Sequence, residues 1–435
     1  MRIHAFVLAA LVIGPTMAAA QSGQSTARAL AMGRSMTASA RGYEAIVWNP
    51  ALLGTRNRPK FSINIAQVGL STRSNVLSPS ELWRYYTSDS LSQQDKTDIL
   101  DKVRATSDST FGVGALADVM AISVTVGNFG ISLTGTAGDA DAAVGDDAIE
   151  LILFGNTARR APGERYVGAG SRGAGLSVAT LAASWGQGIA VPVGHLAVGA
   201  TAKLRRGLLA GGGNSLGSYV QNAPNFEARA GYQVVYFDPD VSLNNGSGFG
   251  LDLGAAYDFV SGIRIAAAIE NVFSTMSWKD EKLRYKQEEY QLLQSADGSS
   301  YADSTISDVD VAYNPADATQ KALRDSLLGV HPFATKLRLG GQMTVGPVLL
   351  AGDAVFKLSD GIVPGAGQRL SVGAELPIAV MRFRGGLASD FDGGFAASAG
   401  IGFKAGPVLV DFAGAITPGG DRKGLTIGMG IAVMP

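Results

Sequence analysis

The sequence predicts an all-β protein, a transmembrane barrel of fourteen antiparallel strands with helical insertions in its extracellular loops. Three observations lead to this prediction. The chain starts with an export signal, its strand-like stretches alternate apolar with small or polar residues, and short and long connections alternate between those stretches. Each observation excludes a different class of protein.

The first twenty residues predict a secretory signal peptide (1–20). Arg2 gives a positive start, and residues 5–13 form an apolar run that is too short to span a bilayer. Gly14-Pro15 breaks this run, and Ala18-Ala19-Ala20 offers the small residues that a signal peptidase recognises. We therefore expect cleavage before Gln21 and a location in the outer membrane of a Gram-negative cell. A retained membrane anchor is the alternative.

Composition narrows the class of exported protein. Hydrophobic residues make up 46% of the chain and the mean hydropathy is +0.16. After Gln21, however, no stretch of about eighteen residues stays apolar, which argues against membrane-spanning helices. The 57 glycines favour a secreted all-β protein or a membrane barrel, and without cysteine the sheet itself has to supply stability. A net charge of −1 argues against nucleic acid as a partner.

A period of two marks the candidate strands. Near the C-terminus, apolar residues at odd positions from 425 to 433 alternate with threonine, glycine and alanine, and in 249–259 charges occur on one face only. A soluble sandwich alternates in the same way but covers its apolar face with a second sheet. A membrane barrel turns that face to lipid and the polar face to the lumen.

Connection lengths favour the barrel. Tight joints such as Gly127-Asn128 and Gly406-Pro407 alternate with long excursions such as 71–119 and 277–334, as periplasmic turns and extracellular loops do. The strand-like stretch 228–237 is assigned to a β-excursion above the membrane, joined at a flexible Gly211-Gly212-Gly213. Fourteen spans are predicted near 61–70, 120–127, 129–137, 174–186, 195–208, 249–259, 263–276, 335–346, 348–358, 369–378, 382–391, 395–405, 408–416 and 425–434.

The long loops carry helices and two candidate motifs. Gly168 to Gly173 spells GxGxxG but leads toward a strand, which argues against a dinucleotide site. The acidic residues Asp139, Asp141, Asp146 and Asp147 are either a calcium site or a solvated loop. Helices are predicted over 80–86, 92–104, 145–154 and 317–328, with Ser92 as an N-cap.

The N-terminal part of the mature chain carries a family signature. It contains Ala29-Leu30-Ala31-Met32-Gly33 and then Val47-Trp48-Asn49-Pro50-Ala51. Together with residues 248–254, 269–273 and 335–341, this pattern resembles the FadL (long-chain fatty acid transporter) superfamily, and most closely its PorV/PorQ-like branch. The resemblance implies a fourteen-stranded barrel (59–435) whose N-terminal segment (21–58) tucks into the lumen as a hatch.

The resemblance assigns the hatch role to Trp48, Asn49, Pro50 and Ala51. The tripeptide itself has a purely local reading, because asparagine caps a helix whose first residue is proline. The same tripeptide recurs at Asn314-Pro315-Ala316, where a loop helix is predicted. The hatch role of Asn49-Pro50-Ala51 is therefore favoured by its position in the chain and not by the tripeptide sequence itself.

Catalytic chemistry is not apparent in the sequence. The three histidines are His4, His195 and His331, and there is no cysteine, so no zinc site or nucleophile constellation is predicted. We therefore expect a protein that is not an enzyme and needs no cofactor.

Strand alternation turns a set of charged residues of both signs into the lumen. Mixed signs favour ion pairing within the lumen and with the hatch over a strongly ion-selective pore. The predicted lumen-facing charges are Asp252, Lys336, Arg338, Asp353, Lys357, Arg382, Arg384 and Asp411.

Two functions follow from the resemblance. The first is uptake or passage of small hydrophobic, fatty-acid-like compounds through a hatch-plugged lumen. The second is a non-transporting scaffold of the PorV type that binds a secretion-machine or cell-surface protein.

The expected partners are outer-membrane lipid and either hydrophobic small molecules or a partner protein. A secreted β-rich binding protein is a third alternative. A greasy pocket with a side opening favours transport, and a lumen sealed by charges favours the scaffold.

Overall fold

The computed structural model describes most of the predicted mature chain. The predicted signal peptide, residues 21–25, and the histidines His4 and His331 lie outside the described residues. The described ranges are 26–88, 90–155, 159–161, 163–168, 170–221, 226–294, 301–329, 333–359, 368–391, 394–420 and 423–435.

Fourteen antiparallel strands form a closed wall, as predicted. Each strand pairs with the next along the chain, and the ring closes because β1 pairs with β14 from Ile63 to Ser74. The strands are β1 (Phe61–Ser74), β2 (Thr110–Val126), β3 (Phe129–Gly145), β4 (Arg172–Ala190), β5 (His195–Ser215), β6 (Gly246–Asp258), β7 (Arg264–Ser274), β8 (Lys336–Val345), β9 (Val348–Lys357), β10 (Arg369–Ile378), β11 (Met381–Asp390), β12 (Phe395–Ala405), β13 (Val408–Thr417) and β14 (Lys423–Val433).

The short turns all lie at one end of the wall. Two-residue turns follow β2, β8, β10 and β12. Three of them begin with a glycine at positive φ (Gly127, Gly346 and Gly406), and the turn after β10 begins with Ala379 at a φ of 53°. Such turns fit the twist of paired strands and favour glycine. β1 begins and β14 ends at this same end, so the long loops all lie at the opposite one.

The two faces of the wall differ in chemistry. In β10, Leu370 and Val372 are 50% and 58% exposed, while the alternating residues Arg369, Ser371 and Gly373 are buried. The outward side chains are the apolar ones, which is the arrangement that a lipid-facing barrel requires.

The wall extends beyond the predicted spans at the long-loop end. β4 and β5 have 19 and 21 residues, whereas a bilayer needs about 9–11 per tilted strand. The stretch Glu227–Phe237 pairs with the end of β5, in the predicted β-excursion. The prediction of a flexible point at Gly211-Gly212-Gly213 is wrong, because these glycines pair with β4 on one side and with Glu227–Phe237 on the other.

The loops contain further strands and the predicted helices. A hairpin in the loop after β7 was not predicted, because its charged residues obscure the apolar alternation. The loop strands are Arg165–Val167, Tyr219–Gln221, Glu227–Phe237, Ser277–Trp278, Leu283–Gln294 and Tyr301–Ala312. The α-helices are α1 (Ala27–Ala31), α2 (Ala45–Trp48), α3 (Pro79–Thr87), α4 (Gln93–Arg104), α5 (Asp146–Phe154) and α6 (Ala318–Leu328), and 3₁₀ turns span Gly42–Glu44, Pro50–Gly54 and Asp280–Lys282.

The loop helices are capped and packed. Ser92 accepts a hydrogen bond from Asp95 N, which confirms the predicted N-cap of α4. Leu327 of α6 is 1% exposed and belongs to an apolar cluster with Leu176 and Leu209 of the wall. Among the described residues, no helix is both long and apolar enough to cross a membrane.

The apolar outer face predicts a position-dependent cost of charge. Val372→Arg places a cation on the mid-strand outer face and should destabilise the barrel by about 2–4 kcal/mol. Val311→Arg, on the exposed loop strand, is the matched control and should cost little. Reversible unfolding in lipid vesicles measures both variants, and equal costs would contradict a lipid-facing β10.

Candidate functional site

Residues 26–58, here called the lumen segment, run through the interior of the barrel. Helix α1 packs against β12 and β13, and the 3₁₀ turn Pro50–Gly54 packs against β4, β5 and β6 on the opposite side of the ring. From Thr26 to Thr55, every residue except Arg34 and Arg41 is buried. The segment therefore occupies the space in which any passage would have to run.

Asn49 joins the lumen segment to the wall. Its side-chain oxygen accepts from Ala51 N at 3.1 Å, and its amide nitrogen lies 3.1 Å from Thr37 O. The same nitrogen lies 3.3 Å from two wall carbonyls, those of Ala255 and Ala267. Asn49 thus makes the local cap and also contacts the wall.

The second copy of the tripeptide makes the same local contact. Asn314 Oδ1 accepts from Ala316 N at 3.0 Å, ahead of α6 in the loop. The cap therefore follows from the residue types alone, and the wall contacts of Asn49 follow from its place inside the barrel.

Trp48 lies beside one of the predicted lumen charges. It is 2% exposed, and the guanidinium carbon of Arg338 lies 4.9 Å from the centre of its ring. A cation over an indole face is attractive, particularly away from water. Arg338 also pairs with Glu270 at 2.7 Å, so Trp48 is linked to a wall ion pair.

Glycines on the inner wall allow the lumen segment to approach at backbone distance. A Cβ at Gly254 would lie 2.0 Å from Asn49 Oδ1, and one at Gly199 would lie 2.6 Å from Ala51 N. These positions, with Gly186 beside Pro50 O, form the first glycine seat, on β4, β5 and β6. No side chain fits there without displacing the segment.

A second glycine seat lies across the lumen on β10, β11 and β12. It holds the Met32-Gly33 pair: a Cβ at Gly373 would lie 2.3 Å from Met32 O, and one at Gly386 would lie 2.1 Å from Gly33 N. Gly400 completes this seat beside Ala31. The two glycine seats therefore contact two signature elements of the sequence, Met32-Gly33 and Asn49-Pro50-Ala51. At both seats the wall offers backbone without side chains.

Asp353 binds the turn between the two seats. Its Oδ2 accepts from Met36 N and Thr37 N, both at 2.9 Å, and from Thr37 Oγ1 at 2.7 Å. One buried carboxylate from the wall thus satisfies three donors of the lumen segment, which would otherwise be costly to bury.

A first ion cluster surrounds Glu375. Its Oε2 accepts from Arg28 Nε at 2.9 Å and from Arg384 Nε at 2.8 Å. Arg28 also binds Glu44 at 2.8 Å, and Arg384 binds Asp411. Because removal of one partner from a buried pair costs about 3–5 kcal/mol, this cluster holds α1 firmly against the wall.

A second ion cluster lies on the wall beside Trp48. Lys203 binds Asp252 at 2.6 Å, and Asp252 Oδ1 accepts from Asn271 N at 2.8 Å. Asn271 has a φ of 56° and lies in a bulge where residues 270–272 face Asp252 alone. Asparagine tolerates this left-handed conformation better than most residues, so the bulge and the cluster share one residue.

The remaining predicted charges occupy different depths. Lys336 is half-buried, Arg382 is half-buried near Glu375, and Lys357 is exposed at the long-loop end of β9. His195 starts β5, as predicted, and its Nε2 lies 3.1 Å from Gly54 O.

Sequence reasoning missed the partners of these charges. Arg28, Glu44, Lys203, Glu270 and Glu375 were not singled out, although the inward parity of the three strand residues was available from the alternation. Within the described residues, no group of three or more metal-binding side chains occurs. The acidic residues Asp146 and Asp147 instead pair with Arg104 and Arg160.

Adjacent glycines on β11 provide a matched test of the second glycine seat. Gly386→Ala should push Met32-Gly33 off the wall, because the new Cβ would lie 2.1 Å from a backbone nitrogen. We expect a lower melting temperature and added conductance in planar bilayers. Gly385→Ala, on the outer face, meets its nearest atom at 3.9 Å and should behave as the unaltered protein. Equal melting temperature and conductance of the two variants would contradict a steric role of the second glycine seat.

Comparisons with known proteins place this architecture. Among solved structures, the Ralstonia pickettii toluene transporter TbuX has a TM-score of 0.51 at 13% identity, covering 95% of this chain and 99% of that one. The P. putida toluene transporter TodX has a TM-score of 0.48 at 12% identity, with 95% and 99% covered. A Pseudomonas aeruginosa FadL homologue has a TM-score of 0.43 at 12% identity, with 96% and 99% covered. At these identities the likeness to TbuX shows a shared fold.

Sequence comparison gives the family. No curated protein matches the chain significantly. The model of a family of unknown function, DUF5723, matches residues 50–340, which is more than half of the chain. The protein therefore belongs to the DUF5723 family.

Proposed function

We propose that the protein lets small hydrophobic compounds pass the outer membrane through a lumen in which residues 21–58 act as a hatch. The observation that carries this proposal is that a separate chain segment, and not wall side chains, fills the middle of the barrel. Such a segment opens a path when it moves and closes it when it returns.

The two glycine seats suit a segment that moves. Its two seats are contacts between backbone and glycine, which have no interlocking side chains. Its polar contacts with the wall, among them those of Asp353, Glu375 and Asn49, would have to break when it moves. In this proposal Trp48, Asn49, Pro50 and Ala51 form the part of the hatch that blocks the β4–β6 side.

A buried apolar cluster supports the hydrophobic class of substrate. At the long-loop end, Leu176, Leu209, Leu327 and Phe333 belong to one buried apolar cluster under α6. An apolar compound that entered between α6 and the wall would gain about 25 cal/mol for each Å² of apolar surface that it buries there. TbuX, whose fold this chain shares, is a toluene transporter, which agrees with this class.

A reversible tether tests the hatch directly. Ser35 Oγ of the lumen segment lies 3.0 Å from Ser371 Oγ of the wall, and the natural chain has no cysteine. Ser35→Cys with Ser371→Cys should therefore form a disulfide that fixes the segment in place. We expect uptake of radiolabelled toluene and octanoate by cells to stop when the pair is oxidised and to return on reduction.

A second cysteine pair controls for oxidation itself. Ser71 and Thr426 lie on neighbouring strands with their hydroxyls 2.9 Å apart, so Ser71→Cys with Thr426→Cys ties wall to wall. This pair should leave uptake unchanged. Full uptake through the oxidised Ser35–Ser371 pair would refute a moving hatch, and no uptake of either probe by the unaltered protein would refute transport.

A scaffold of the PorV type is the second candidate, favoured by the loop hairpin. Strand Tyr301–Ala312 pairs with Leu283–Gln294 and, among the described strands, with no other, so its outer edge has unpaired backbone groups. Ile306 and Val309 are 43% and 36% exposed along it. An exposed strand edge with apolar side chains suits pairing with another protein. The two described cavities, bordered by charged side chains, also agree with this alternative.

Two variants separate the scaffold from the transporter. Ile306→Lys with Val309→Lys should abolish co-purification of a surface or secretion protein from native membranes, while toluene uptake continues. Val241→Lys, at a residue 73% exposed in another loop, is the control and should retain the partner. Equal recovery of the partner with all variants would contradict binding at this edge.

A further inference from the structure

We propose that the cavity at the short-turn end of the lumen binds a small molecule that carries a carboxylate or phosphate group. This goes beyond passage of hydrophobic compounds, because the site recognises an anionic group. The cavity has a volume of about 940 Å³ and opens between the lumen segment and the short turns. That volume lies in the range of small-molecule sites, about 300–1,000 Å³.

The charge of the lining favours an anion. Eight arginine and lysine side chains border the cavity, against three glutamate and aspartate side chains, Glu44, Asp258 and Glu375. Asp411 lies outside the lining and pairs with Arg384, so four side-chain carboxylates face eight cations and the cavity keeps a positive potential. Because its walls are protein and not open water, this potential is screened less than that of an exposed surface.

Several of these cations lack a close carboxylate. Arg56 donates to Gly194 O at 3.1 Å, and Arg58 donates to Thr55 O at 3.0 Å, so both have neutral acceptors. Arg41 and Arg382 approach the same oxygen, Glu375 Oε1, at 3.8 and 3.6 Å. Those distances exceed a normal hydrogen bond, so both guanidinium groups have donors to spare.

Two buried guanidinium nitrogens also lack an acceptor. Arg28 and Arg384 are each 5% exposed and line the cavity, and Nη2 of each has no hydrogen-bond partner among the described residues. A buried donor without an acceptor is costly, and the paired donors of a guanidinium match the oxygens of a carboxylate or phosphate. Glu44 Oε1 is also without a partner, so a bound water is the competing explanation for Arg28.

Direct binding measurements distinguish an anion from water. Purified full-length protein in detergent is titrated calorimetrically with inorganic phosphate and, separately, with succinate at constant ionic strength. We expect saturable binding of at least one probe and a rise in melting temperature with its concentration, since a ligand that binds the folded state stabilises it. Phosphate alone, or succinate alone, identifies which oxyanion the site prefers.

Variants locate the binding. Arg41→Gln with Arg382→Gln should weaken the affinity at least tenfold, and Lys60→Gln, at an exposed residue of the same end outside the cavity lining, should leave it unchanged. Arg382→Lys keeps the positive charge but loses the paired donors of the guanidinium. Its affinity should therefore lie between that of the double variant and that of the unaltered protein. Circular dichroism checks that each variant is folded.

Either an absence of saturable binding for both probes, or equal affinity of the double variant and the unaltered protein, would leave water as the occupant. Toluene uptake by the double variant separates this inference from the proposed transport. Continued uptake with lost anion binding shows that the two properties are independent, and saturable anion binding by an unaltered protein that takes up no toluene contradicts transport alone.

Discussion

The closed hydrogen-bond ladder of the wall is the constraint on which the rest of the structure depends. In lipid, every backbone donor and acceptor needs a partner, and a sheet meets this demand only when its last strand pairs with its first. The β1–β14 pairing achieves this closure. Closure fixes the parity of every strand, so that Val372 faces lipid and its neighbours Ser371 and Gly373 face the lumen. It also leaves a lumen that wall side chains alone do not fill.

The lumen segment fills that space and brings polar groups of its own. Its buried backbone amides and Arg28 need hydrogen-bond acceptors away from water. The wall supplies these acceptors with the carboxylates of Asp353 and Glu375. The glycine seats let these partners meet at hydrogen-bond distance, because a side chain at Gly254 or Gly386 would hold the segment away. Glycine and buried charge thus act together: the first sets the distance, and the second supplies the attraction.

The wall could be predicted from the sequence and most of the lumen could not. A period of two and the alternation of joint lengths are local properties, so strand count, parity and loop order followed from them. The same parity turned Asp353 and Arg384 inward but did not identify their partners in the lumen segment or the wall. Partners of this kind can lie far away in the chain, as Thr37 lies 316 positions from Asp353. The seat glycines resembled any other small inward residue. The extension of β5 through its three glycines was missed because glycine suggests a break where no pairing partner is known.

The path of the lumen segment has a consequence for the order of folding. The first glycine seat needs β4, β5 and β6, and the second needs β10, β11 and β12, which are synthesised much later. Residues 26–58 precede all of these strands in the chain, and long-range contacts of this kind form slowly. Residues 26–58, which are made before the wall, can therefore settle only after most of it exists, and until then Arg28 and the backbone groups of the segment have to remain in water.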